Sequence, residues 1–108
     1  MLIHTEEKEG FTIRYYAEEE DLSPVGAFAS GDEELDKQTL ADIESGKLLW
    51  FCAKVTASKA NVELAADYIG ACCYESYAEF MTGDGYYADM VSAVIVEAKE
   101  KVKELCHV

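Results

Sequence analysis

The sequence predicts an α+β domain. It has an antiparallel sheet of three to four strands with two helices, in the order β-α-β-β-α, and a long C-terminal helix packed on the sheet. Three observations predict it. Residues 47–56, KLLWFCAKVT, and residues 63–74 are two strand-like runs separated by a short polar stretch, the pattern of a hairpin. Apolar side chains recur at three- and four-residue spacing up to residue 105, the pattern of a helix with one buried stripe. A shorter helical stretch lies between Ser30 and Gly46, residue types that start and stop helices.

The first strand is expected over Phe11–Ala17, where Phe11, Ile13 and Tyr15 alternate with Thr12, Arg14 and Tyr16. It runs into the acidic stretch Glu18-Glu19-Glu20-Asp21. Ser23-Pro24-Val25-Gly26 then reads as a turn, and Val25 to Ala29 as a short extended piece. Ser30-Gly31-Asp32-Glu33 has the Ser-x-x-Glu form of a capping box. The helix it opens is expected over 32–45, with Leu35, Leu40 and Ile43 as an imperfect stripe. Gly46 supplies the left-handed closing residue.

In the 47–56 run, Leu48, Trp50 and Cys52 lie on one face and Leu49, Phe51, Ala53 and Val55 on the other. Apolar residues on both faces predict a central strand with a largely buried Trp50. Ser58 to Asn61 forms the turn. In 63–74, strict alternation places Leu64, Ala66, Tyr68, Gly70, Cys72 and Tyr74 on one face. Ala65, Asp67, Ile69, Ala71 and Cys73 take the other. The hairpin of these two runs is expected at the centre of the sheet, with Gly70 and Ala71 small enough for a helix to approach.

The last helix begins at Tyr86 or Tyr87. Its stripe is Tyr87, Val91, Val94, Ile95, Ala98, Val102 and Leu105, and Asp84 between two glycines is the expected cap. Lys99, Lys101 and Lys103 gather where the helix dipole favours cations. The chain reads as a single domain, 1–108, with 1–10 and 106–108 as frayed ends.

Of the 108 residues, 22 are Asp or Glu and 9 are Lys or Arg, for a net charge of −13. Residues 1–47 hold 13 of the acids and 4 of the bases. Solubility alone accounts for such an excess. A basic partner, such as a protein with a nucleic-acid groove, also accounts for it. Direct nucleic-acid binding is not expected, because counterion release needs clustered Lys and Arg. No apolar run approaches the roughly 20 residues of a membrane span. MLIHTEEKEG has no apolar segment of the signal-peptide kind. The expected location is cytoplasmic.

Catalytic constellations are missing from the pattern. The four cysteines are Cys52, Cys72, Cys73 and Cys106. Cys72 and Cys73 are adjacent on a strand and point to opposite faces, so they do not chelate one ion together. The strand cysteines read as small hydrophobes. The histidines, His4 and His107, lie near the two chain ends, so no cysteine–histidine pair is visible. No phosphate-cradling glycine loop or nucleophile-elbow motif occurs. No enzymatic activity, metal or cofactor is expected.

Two segments mix tyrosine with carboxylate. One is Tyr15-Tyr16 with Glu18 to Asp21. The other holds Tyr74, Glu75, Tyr77, Glu79, Phe80, Asp84, Tyr86, Tyr87 and Asp89 within 16 residues. Phe80 and Tyr87 fit the core pattern. The rest is what a surface facing Arg and Lys uses, because tyrosine gives rigid contact area and its ring face attracts cations.

FASGDEELD (28–36), LLWFCAKVTA (48–57) and DYIGACCYESYAEFMTGDGYYADMV (67–91) together resemble a group of small acidic proteins of phages, prophages and plasmids. The likeness spans most of residues 11–100 and carries no catalytic motif. It implies, by analogy with anti-CRISPR proteins, an inhibitor of bacterial defence that acts by binding in the host cytoplasm. The partner it implies is a basic CRISPR effector or another nucleic-acid-binding defence protein. Candidate contact residues are Glu18, Glu19, Glu20, Asp21, Asp32, Glu33, Glu34 and Asp36, or Glu75, Tyr77, Glu79, Asp84, Tyr86 and Asp89. The alternatives are a module that sequesters a small nucleotide signal and an accessory phage protein.

Overall fold

Two hairpins laid side by side build the sheet in the computed structural model, which describes residues 1–23 and 33–105. The first joins β1 (Leu2–Lys8) to β2 (Phe11–Glu18) through Glu9-Gly10. The second joins β3 (Leu49–Lys59) to β4 (Val62–Tyr74) through Ala60-Asn61. Each loop has two residues, all with positive φ: 52° and 86° in the first, 52° and 63° in the second. These are type I′ turns, whose twist matches that of the flanking strands. Gly10 and Asn61 tolerate the left-handed region, whereas Glu9 and Ala60 are held there against their preference.

The sheet is antiparallel, in the order β1-β2-β3-β4. A three-helix complement completes the α+β fold: α1 (Glu33–Ser45), α2 (Tyr77–Thr82) and α3 (Tyr86–Leu105). Helices α2 and α3 pack on one face of the sheet. That face carries Phe11, Ile13, Tyr15 and Ala17 from β2, and Phe51, Ala53, Val55 and Ala57 from β3, all buried. Against them lie Phe80 of α2 and Tyr87, Met90, Val91, Val94, Ile95 and Ala98 of α3. Burying one such large side chain contributes about 1.5–3 kcal/mol. The Tyr15 hydroxyl, at the centre of this core, donates to the Tyr77 carbonyl at 3.0 Å. Helix α1 buries none of its residues, and Gly46 closes it with φ 85°.

Several details differ from the sequence reading. Residues 2–8 form an edge strand, where frayed chain was expected; they bury little apolar surface and so lack a clear pattern. Among the described residues β4 pairs with β3 alone, so the β3–β4 hairpin lies at one end of the sheet, not at its centre. Trp50 is only half-buried, and its indole N–H donates to the Leu22 carbonyl at 2.8 Å. Asp84 takes the Tyr74 hydroxyl at 3.0 Å, where a helix cap was expected. The extended piece at 25–29, the Ser30 cap, Asp32, Cys106 and His107 lie outside the described residues.

Candidate acidic site around the β4 bulge

The register of β4 against β3 slips where Phe51 pairs with Cys72 and Ala53 with Ile69. Cys52 therefore faces two residues, Gly70 and Ala71, which is a β-bulge. Ala71 has φ 54°, a left-handed conformation unusual for a side chain with a Cβ. The extra residue shifts the alternation by one. Ile69 and Cys72, placed on opposite faces by strict alternation, both join the core. Ala71 and Gly70 are exposed.

Glu20 holds this bulge. Its Oε2 accepts the Ala71 N–H, and its Oε1 accepts the Leu22 N–H at 3.0 Å. These backbone donors hold the carboxyl below the usual carboxylate range. The bulge thus receives a carboxylate over its small residues, where sequence alone suggested a helix. Glu18 pairs with Cys52 across the sheet. Burial first, then the charges of Glu20, Glu18 and Asp21, push the Cys52 thiol up. Glu18 and Glu20 thus flank Cys52, the first across the β2–β3 pairing and the second at the bulge that Cys52 faces.

Ile69 to Tyr74, the bulge included, line an open groove of about 320 Å³ together with Asp84 and Tyr86. Tyr74 donates to Asp84, and desolvation, then that carboxylate, pushes its phenol up to about 12. Tyr86 is 49% exposed. Two acidic and aromatic segments, some fifty residues apart in the chain, meet here at one bulge.

The other candidates are distributed as follows. Glu18, Glu19 and Asp21 are exposed. Glu33, Glu34 and Asp36 occupy the first turn of α1. Glu79 ties down the start of α2: its N–H donates to the Oγ of the N-cap Ser76 at 3.1 Å, and its Oε2 accepts the N–H of the preceding Glu75 at 3.3 Å. Tyr77 packs edge-on against Phe51 at 5.0 Å between centroids, so it serves the core. Asp89 is exposed in the first turn of α3. Sequence reasoning missed the groove itself. Its one signal was the small pair Gly70-Ala71.

The thiols of Cys72 and Cys73 are likewise pushed up by burial, which disfavours the nucleophilic thiolate. Cys72 is buried and its thiol donates to the Ile69 carbonyl at 3.3 Å, whereas Cys52 and Cys73 are half-buried. Among the described residues, no three His, Cys, Asp or Glu side chains converge to hold a metal ion. No helix among them is long and apolar enough to cross a membrane. No protein-family model, no curated protein and no solved structure matches the chain.

Proposed function

We propose that this protein acts by binding, and that its acidic site docks on a basic surface of a protein partner. The observation that carries this reading is the convergence at the β4 bulge. Glu18 pairs with Cys52 opposite the bulge, Glu20 accepts the Ala71 N–H within it, and Asp84 and Tyr86 line the groove that Gly70 and Ala71 share. An Arg or Lys entering the groove meets the Asp84 carboxylate and the Tyr74 and Tyr86 rings together. Charge-assisted contact and cation–π attraction both favour it. Close charge pairs in interfaces couple by roughly 1.5–7 kcal/mol.

The partner class follows from the resemblance to small acidic phage and plasmid proteins. It is a nucleic-acid-binding protein of bacterial defence, and a CRISPR effector fits best. The carboxylates take the place of phosphates in its channel, as in an anti-CRISPR protein, inside the host cell.

The test is binding to candidate effectors with and without their nucleic acid. Reversing Glu18, Glu19 and Asp21 to lysine, or Asp84 to lysine, should weaken binding while the fold persists, because exposed charges contribute little to stability. Association should slow as salt rises, since the Debye length falls from about 10 Å at 0.1 M to about 3 Å at 1 M. Binding indifferent to salt and to both sets of reversals would overturn the reading.

A further inference from the structure

Beside the acidic bulge, the sheet face opposite α2 and α3 carries an arginine and a lysine set among tyrosine rings. The strand registers place Tyr16 beside Lys54 and Lys54 beside Tyr68, so these three form one row across β2, β3 and β4. Lys54 Nζ stands 5.5 Å from the Tyr16 ring centre and 5.7 Å from that of Tyr68. In the adjoining row Arg14 pairs with Thr56, which pairs with Ala66. Arg14 Nη1 donates to Ser58 Oγ at 3.5 Å. This weak contact uses one of the five N–H donors of the guanidinium. Arg14 is the only arginine in the chain, and it shares this face with a lysine flanked by aromatic rings. The other members of the Arg14 row, Thr56 on β3 and Ala66 on β4, are small, with Thr56 buried, and Tyr68 in the next row is 57% exposed.

We infer that this face binds a nucleoside phosphate. The phosphate is held by Arg14 and Lys54, and the planar base lies on Tyr68. Guanidinium and ammonium groups are the side chains that recognise phosphate, the first through a planar fork and the second as a point charge. Every base has a π-face that stacks on tyrosine without regard to sequence. Neighbouring strands are about 4.8 Å apart, so Tyr68 on β4 and Arg14 on β2 are separated by about 10 Å across the strands. That separation suits a ligand with its base at one end and its phosphate at the other. Size is decided by charge. A polynucleotide brings many phosphates against a surface of net −13, whereas a mononucleotide brings few and places them beside the two cations. The acidic bulge borders this site on the same face, since Glu18 pairs with Cys52, two residues along β3 from Lys54, and Glu20 lies over Gly70, two residues along β4 from Tyr68; the phosphate therefore takes the Arg14 end, away from those carboxylates.

The experiment is titration calorimetry of the whole chain with the common ribonucleoside monophosphates, with adenosine and inorganic phosphate as part-ligands and a short single-stranded oligonucleotide as polyanion. A monophosphate should bind saturably and more tightly than either part-ligand. Arg14→Gln and Lys54→Gln should each weaken it by roughly tenfold, the loss of one charge-assisted contact. Tyr68→Ala should weaken it, while Tyr68→Phe, which keeps the ring, should not. Unchanged circular dichroism and melting temperature verify that these surface variants are folded. Three results would overturn the inference: no monophosphate binding at millimolar concentration, binding unaffected by Arg14→Gln and Lys54→Gln, or binding of adenosine as tight as that of its phosphate. Tighter binding of the oligonucleotide would overturn the assignment to a small ligand.

Discussion

The carboxylate of Glu20 lies where a side chain at Gly70 would begin: a Cβ on Gly70 would stand 2.7 Å from Glu20 Oε2. This contact joins the acidic exit of β2 to the bulge of β4, and it accounts for a glycine within a long strand. Gly70→Ala should therefore displace Glu20 and release the Ala71 N–H, lowering the melting temperature by a few degrees. In a Glu20→Ala background the same substitution should cost clearly less, because the clash is gone. A double-mutant cycle by thermal unfolding measures the difference. Equal costs in both backgrounds would mean that Glu20 does not occupy this position.

Ala60 sits at the first position of a type I′ turn with φ 52°. Asparagine tolerates this conformation better than alanine. Ala60→Asn should raise stability by about 0.5–1 kcal/mol, within the range of turn optimisation, in urea unfolding. A loss of stability would show that the turn differs from type I′.

Three tyrosines tie the fold to pH. Desolvation, as the largest cause, raises the phenols of Tyr15, Tyr74 and Tyr87, Tyr74 to about 12; the Glu6 carboxylate, accepting the Tyr87 hydroxyl at 3.1 Å, adds to the shift of Tyr87. The unfolded chain titrates these groups near 10. Their stabilising effect is therefore complete below about pH 10 and falls as pH rises through the folded values, since the folded state then holds more protons than the unfolded one. Tyrosinate absorbance should show these three groups titrating late, together with unfolding. Early reversible titration of all seven tyrosines in a folded chain would contradict the burial of Tyr15 and Tyr87.

Cysteine variants separate packing from chemistry. Cys72→Ala removes a buried sulfur and should cost about 1 kcal/mol. Cys72→Ser keeps a donor for the Ile69 carbonyl, though the buried hydroxyl is costlier to desolvate than a thiol. Both should reduce stability before they reduce binding. Alkylation at neutral pH should be slow at Cys72, the most buried of the described thiols. A variant with an unchanged melting temperature and no binding would assign a functional role to the thiol.

The hydrophobic patterns alone were enough to place α3, β2, β3 and β4, because periods of two and 3.6 residues follow directly from backbone geometry. The α+β class followed from their order. β1 was not legible: an edge strand with Leu2 exposed and Ile3 half-buried carries almost no period. α2 had a local signal in Ser76-x-x-Glu79, but its six residues are too few for a stripe. The candidate site divides in the same way. Its acids and tyrosines were visible as composition, in two separate segments. Their meeting was decided by tertiary structure, through a slip of register at Ala71, a residue type that does not announce positive φ. That slip moved Cys72 to the core face and opened a backbone N–H for Glu20. The row of Tyr16, Lys54 and Tyr68 is likewise a product of register between strands far apart in the chain. Local propensity sets which elements form. Pairing between distant strands sets which side chains become neighbours, because a shift of one residue exchanges the two faces of a strand.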